Sequence, residues 1–174
     1  MCYDALRKFL LEQSKISGIA KPLSLKAIPL MTLVGDDGPD TVHGVVRAMI
    51  CQAACFHSPQ DLKVMVVTDE PARWDWLKWL PHCQHDKLFD SGGPLRMVWT
   101  SPTAMDAAVG HELHSARKNY GDPGAGEVRP HWLVINDQLR VDSEWDTLNR
   151  RGVGGVAGVT FVRVVVKEGT TDDS

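Results

Sequence analysis

Five apolar runs begin near residues 29, 62, 96, 131 and 158, about thirty residues apart, with helical patterns between them. No other feature limits the possible folds as much. The runs are Ala27-Ile-Pro-Leu-Met-Thr-Leu-Val34, Leu62-Lys-Val-Met-Val-Val67, Arg96-Met-Val-Trp-Thr100, His131-Trp-Leu-Val-Ile135 and Gly158-Val-Thr-Phe-Val-Arg-Val-Val-Val166. They are near-continuous in apolar residues rather than alternating, which is the mark of strands covered on both faces. Strands separated by helices are joined by right-handed crossovers, so the expected fold is α/β, a mostly parallel sheet of about five strands with helices on both faces. The 174 residues hold no sequence repeat and leave no room for a second domain, so 1–174 reads as one α/β domain.

The connecting segments fit this frame. Leu6, Phe9 and Leu10 lie at helical spacing behind a capping Asp4. Val42, Val45, Val46, Met49, Ile50, Ala53 and Phe56 form a sustained helical apolar face. Pro71 opens a short helix to Leu80, with Asp69 or Glu70 near its cap. Ser101-Pro102 supplies an N-cap and first-turn proline for a helix running to about Lys118. Tyr120 to Pro130 is a loop, Glu144 to Arg150 a helical segment, and Gly169 to Ser174 a polar tail expected to fray.

Composition removes several function classes. Lys plus Arg number 19 against 22 Asp plus Glu, a net charge of −3, without the basic stripe of a nucleic-acid binder. No apolar run approaches the ~20 residues of a membrane-spanning helix and no signal peptide stands at the start, so a soluble, cytosolic chain is expected. Four cysteines without a CxxC pair read as reduced thiols, with Cys51 and Cys55 as small core residues of their helix.

In such a sheet the first strand-turn-helix is the favoured phosphate cradle. Laid on GxxxxGK[ST], Gly35 matches the first glycine, but Asp40 falls on the second, Thr41 on the lysine and Val42 on the magnesium-binding hydroxyl. The bend Gly35-Asp36-Asp37-Gly38-Pro39-Asp40-Thr41 carries three carboxylates and no lysine, and Pro39 lacks an N–H. A carboxylate about 4 Å from a phosphate charge costs on the order of 4 kcal/mol at a surface dielectric. A micromolar affinity is worth about 8 kcal/mol. The bend therefore reads as a degenerate nucleotide loop and a helix-capping turn. The run 131–135 ends in Asn136-Asp137, where a magnesium-holding Walker B carboxylate would sit beside the first strand, but Gln138 follows in place of the usual glutamate. Asp137 is thus a vestigial Walker B residue or a strand-end cap.

Two stretches carry a resemblance. Val42-His-Gly-Val-Val-Arg-Ala-Met-Ile-Cys-Gln-Ala-Ala-Cys-Phe-His-Ser-Pro59 and the tryptophan-rich Trp74-Asp-Trp-Leu-Lys-Trp-Leu-Pro-His-Cys-Gln-His85 resemble the EccC family, FtsK/SpoIIIE-type membrane-anchored ATPases of type VII (ESX) secretion systems. Gly154-Gly-Val-Ala-Gly-Val-Thr160 is also similar, and the match spans a core of about 25–166. The similar region is the membrane-proximal domain of unknown function ahead of the first full ATPase module. The resemblance implies a degenerate P-loop (RecA/FtsK-like) fold and a fragment of a longer membrane-anchored protein at the cytoplasmic face of the inner membrane. It implies no cofactor for this domain, ATP and magnesium being confined to the parent's other modules. It also implies partners among the neighbouring ATPase modules, EccB, EccD, EccE and export substrates. The reading that follows is a non-catalytic coupling module. Its alternatives are a weakly active nucleotide hydrolase and a substrate-docking module.

Wound at about 100° per residue, Trp74, Trp76 and Trp79 point to different sides of their helix, so at least one should leave the core. The three form a candidate partner surface, with burial under the following loop as the alternative. His82, Cys83 and His85 have no second ligand pair for zinc, and His111-Glu-Leu-His114 is one residue short of HExxH. No metal site and no nucleophilic triad is expected.

Overall fold

The computed structural model describes residues 22–35, 39–119, 130–139 and 158–166, together with Arg7. The rest of the expected helix over 4–13, the centre of the acidic bend (Asp36, Asp37 and Gly38), the loop 120–129, the helix at 144–150, the glycine-rich stretch 152–157 and the tail lie outside the described residues.

In chain order the elements are β1 (Leu30–Gly35), α1 (Pro39–Phe56), β2 (Leu62–Thr68), a 3-10 helix (Pro71–Trp79), β3 (Gln84–Asp90), β4 (Gly93–Arg96), β5 (Val98–Trp99), α2 (Pro102–Asn119), β6 (His131–Asp137) and β7 (Val159–Val166). Short 3-10 turns at Leu25–Ala27 and Pro81–Cys83 complete the set. The main sheet has the order β1-β7-β6-β2-β5, and every pair in it is parallel. This is the expected α/β architecture.

Burial follows position in the sheet. All seven residues of β2 and the first six of β6 are buried, as befits central strands. Among the described residues β1 pairs only with β7, and it alternates exposed and half-buried residues as far as Gly35, the pattern of an edge. α1 sends Val42, Val46 and Ile50 into the core, and α2 sends Met105, Val109 and Leu113, each set one turn apart. Complete burial of such a side chain contributes about 1.5–3 kcal/mol. The expected N-cap of α2 is present, with Ser101 Oγ accepting from the Ala104 N–H at 3.2 Å.

Four expectations need correction. Cys51 and Cys55 are exposed, not core, because they lie about 140° and 180° round α1 from Val46. Val45 and Phe56, at the margins of the apolar face, are exposed as well. The strand expected at Arg96–Thr100 shrinks to Val98–Trp99, since Arg96 belongs to the antiparallel β3–β4 hairpin and Met97 donates its N–H to Cys83 O at 2.9 Å. Finally, β6 does not lie beside β1. β7 separates them, so the Walker B position is one strand farther from the bend than expected.

The strand order locates the site. From β6 the chain returns towards β1 through β7, whereas from β2 it moves outward to β5. Connections leaving two adjacent strands in opposite directions open a crevice at their carboxyl ends. Here that crevice lies between Asp137 and Thr68, which are register partners on β6 and β2.

A candidate site at the switch point of the sheet

Parallel partners face the same side of a sheet, so Asp137 and Thr68 project together into the crevice. α1 crosses that face and contributes His43 from its first turns. The 3-10 helix following β2 contributes Arg73 and Trp74. His43 Nε2 lies 2.6 Å from Asp137 Oδ1. Trp74 Nε1–H donates to Oδ2 at 2.7 Å, and Thr68 Oγ1 donates to the same oxygen at 3.3 Å. Arg73 Nη1 stands 3.6 Å from Oδ2, while its Nη2 pairs with Glu70 at 2.7 Å. Arg73 Nη1 also lies 3.1 Å from His43 Nε2. One ring nitrogen cannot both donate to the carboxylate and accept from the guanidinium, and the shorter distance assigns the proton of Nε2 to Asp137.

The side chains of Asp137 and His43 are each only 7% exposed. A carboxylate offers about four acceptor positions. Here Trp74 and Thr68 take the two on Oδ2, His43 takes one on Oδ1, and Arg73 at 3.6 Å adds charge rather than a hydrogen bond. The His43 and Trp74 rings meet edge to face, with centroids 6.3 Å apart, and close the crevice above the carboxylate.

Magnesium and a triphosphate do not fit these residues. The carboxylate at the metal position is already enclosed by donors of its own chain. The first turn of α1 presents the Asp40 carboxylate where a phosphate-binding loop has its second glycine, and Thr41 where it has lysine. Gly35 is buried at the end of β1, and Thr41 is exposed at the start of α1. Among the described residues no group of three or more His, Cys, Asp or Glu side chains is arranged to hold a metal ion.

The tryptophans divide. Trp74, expected on a partner surface, is 2% exposed and belongs to the core, because its indole N–H is the donor that closes on Asp137. Trp76 is half-buried beneath Arg47, whose Cζ lies 5.9 Å from its ring centroid. Trp79 is 80% exposed, with Lys78 Nζ 5.5 Å from its ring centre. Only the last two remain surface candidates.

The histidines and the cysteine around β3 are held by other contacts. His82 Nε2–H donates to His57 O at 2.8 Å. His85 Nδ1 accepts from the Lys87 and Leu88 N–H groups, both at 3.0 Å, leaving Nε2 to face Glu112 at 3.3 Å. Burial pushes the Cys83 thiol up to about 12, so it stays protonated and inert at neutral pH. His111 is exposed on α2.

Sequence reasoning missed His43, Thr68 and Arg73 as members of the site. No local motif joins them. They meet only through the β2–β6 register and the crossing of α1.

No protein-family model matches the chain. Curated relatives do. An ESX-5 secretion system protein EccC5 from Mycobacterium tuberculosis is 35% identical over 161 residues, 90% of this chain and 11% of the relative. The ESX-4 protein EccC4 of the same species is 42% identical over 162 residues, 92% and 11% respectively. EccC of Thermomonospora curvata is 34% identical over 173 residues, 96% of this chain and 12% of the relative. This chain is homologous to EccC. It spans about a tenth of the length of these EccC relatives. A solved structure of Thermomonospora curvata EccC (ATPases 2 and 3) in complex with a signal sequence peptide superposes with a TM-score of 0.53 at 12% identity, covering 83% of this chain and 26% of that one. The EccC ATPase domains and this domain therefore share their α/β, P-loop-like fold. No described helix is long and apolar enough to cross a membrane.

Proposed function

We propose that this domain is a non-catalytic coupling module of a type VII secretion motor. It keeps the fold of an ATPase domain and works through its surfaces, linking membrane segments of a longer protein to its ATPase modules. One observation carries the reading: at the switch point the buried Asp137 carboxylate is taken up by His43, Trp74 and Thr68 of its own chain, with the Arg73 guanidinium beside it. Asp36, Asp37, Gly38 and the ends of that bend, Gly35 and Thr41, make a degenerate nucleotide loop, and Asp137 is its vestigial Walker B partner. ATP and magnesium act in other modules of the parent. The partners are those modules together with EccB, EccD and EccE, at the cytoplasmic face of the inner membrane. Calorimetric titration of the 174-residue chain with ATP and magnesium tests the reading. No saturable heat and no turnover are expected, and a saturable heat refutes it.

A second reading is favoured by the exposure of Trp79. A related EccC structure holds a signal sequence peptide, and a bare indole beside Lys78 suits the docking of an export substrate. Trp79→Ala is then expected to weaken capture of ESX substrates in pull-down while leaving the fold intact. Unchanged capture removes this reading.

A further inference from the structure

We propose that the 3-10 helix Pro71–Trp79 is a two-state strut, held in its present winding by the Trp74–Asp137 hydrogen bond and able to rewind as an α-helix when that bond is released. The proposal rests on the coupling reading for its role, since it supplies the moving part that such a module needs. Nine residues is long for a 3-10 helix, which uncommonly exceeds three or four, and longer runs mark hinges or strain. Its bonds span three residues at both ends, from the Arg73 N–H to Glu70 O at 3.1 Å and from the Leu80 N–H to Leu77 O at 2.9 Å. The interior Ala72, Arg73, Leu77 and Lys78 are good α-helix formers, and Pro71 at the first position suits either winding. Local preference therefore does not explain the tight winding.

Tertiary contacts do. At three residues per turn the segment has three ridges. Trp74 and Leu77 on one ridge are buried, with Leu80 following, while Asp75 and Lys78 on the second form an ion pair. Arg73, Trp76 and Trp79 on the third run from the Asp137 crevice out to solvent. The arrangement leaves a defect, because the buried Trp76 Nε1–H has no hydrogen-bond partner among the described residues. An unmet buried donor makes a winding less favourable. One indole of the segment is satisfied and its neighbour is not, a condition under which a second arrangement can compete.

Rewinding to 3.6 residues per turn would shorten the segment by roughly 4.5 Å and turn Trp79 by about 100° relative to Trp74. Trp74 could not then hold Asp137 while Trp79 kept its present direction. A partner that grips the Trp79 ring in one of the two directions therefore shifts the equilibrium by its differential affinity, which is how a surface contact reaches the crevice.

Nuclear magnetic resonance of the 174-residue chain tests this. In the native sequence, residues 71–79 should show αN(i,i+2) contacts. Trp74→Phe keeps an aromatic ring and removes the donor, and Asp137→Leu keeps the bulk and removes both acceptor oxygens. Losing one charge-assisted bond should shift the equilibrium towards the α-helix by roughly ten- to a hundredfold, read as αN(i,i+4) contacts across 71–79. Asp137→Leu is the deciding variant if Trp74→Phe loses its β2–β6 cross-strand contacts. A segment that keeps the (i,i+2) pattern, or loses helical contacts altogether, overturns the proposal. Nucleotide binding is judged separately. ATP uptake would remove the coupling reading while leaving the rewinding to be decided by these contacts.

Discussion

Asp137 ends a strand that the sequence shows plainly, yet its partners come from three other elements, so its role was invisible in any local pattern. Asp137→Ala would leave the His43, Trp74 and Arg73 donors facing one another without their acceptor. Removing one member of a buried charged pair costs on the order of 3 kcal/mol, and urea unfolding should show a loss of that size. A change below about 0.5 kcal/mol would mean that the carboxylate is not the hub. The cysteines make a second test. At pH 8, iodoacetamide should label Cys51 and Cys55 but spare Cys83 until the chain is unfolded, as read by peptide mass spectrometry. The sign of the pH dependence follows. The Cys83 pKa is raised from 9.0 to about 12 by folding, so its contribution to stability is complete below pH 9 and is lost as the pH climbs towards 12. Cys83→Ala should flatten that alkaline decline, and an unchanged decline would contradict the assignment.

Among elements, α1, β2, β6 and β7 were legible because apolar period and strand length agree there. The 3-10 helix was legible as a helix but not as this one. Its signal was present, since Trp74, Leu77 and Leu80 recur every third residue with Asp75 and Lys78 on a polar row between. Read at 3.6 residues per turn, the same letters scatter the three tryptophans and place Trp74 on the surface. The β3–β4 hairpin was missed although Asp90-Ser-Gly-Gly93 marks its turn. Gly93 takes a φ of 126°, and Asp90 Oδ1 accepts from the Gly92 N–H at 2.7 Å. What fastens the hairpin is Lys63, a cation inside a strand that otherwise reads as uninterrupted core. Its side chain is 3% exposed and its Nζ reaches Asp86 at 2.5 Å and Gln84 O at 3.1 Å. Asp86 is 68% exposed, so the pair is asymmetric. Asp86→Ala strands a buried ammonium and should cost about 3 kcal/mol, whereas Lys63→Met returns a carboxylate to water and should cost less than about 1.5 kcal/mol. The reverse order in urea midpoints would show that Lys63 is not held as described.

For the whole molecule, the recurrence of strands was enough to give a parallel α/β sheet, but not the strand order. No letter in the sequence says that β7 enters between β1 and β6, because that depends on which pairing buries most of the central strands. The order matters, since it places the crevice between β6 and β2 rather than beside the acidic bend. It also sets Asp137 among His43, Thr68, Arg73 and Trp74 of its own chain, in a domain whose fold the EccC ATPases share. The most direct check follows the indole Nε1–H resonance of Trp74 while ATP and magnesium are titrated to millimolar concentration. The closed site predicts no shift of that resonance, because the bond to Asp137 stays in place. A saturable shift that vanishes in Asp137→Ala would show the nucleotide displacing Trp74, and would contradict the account.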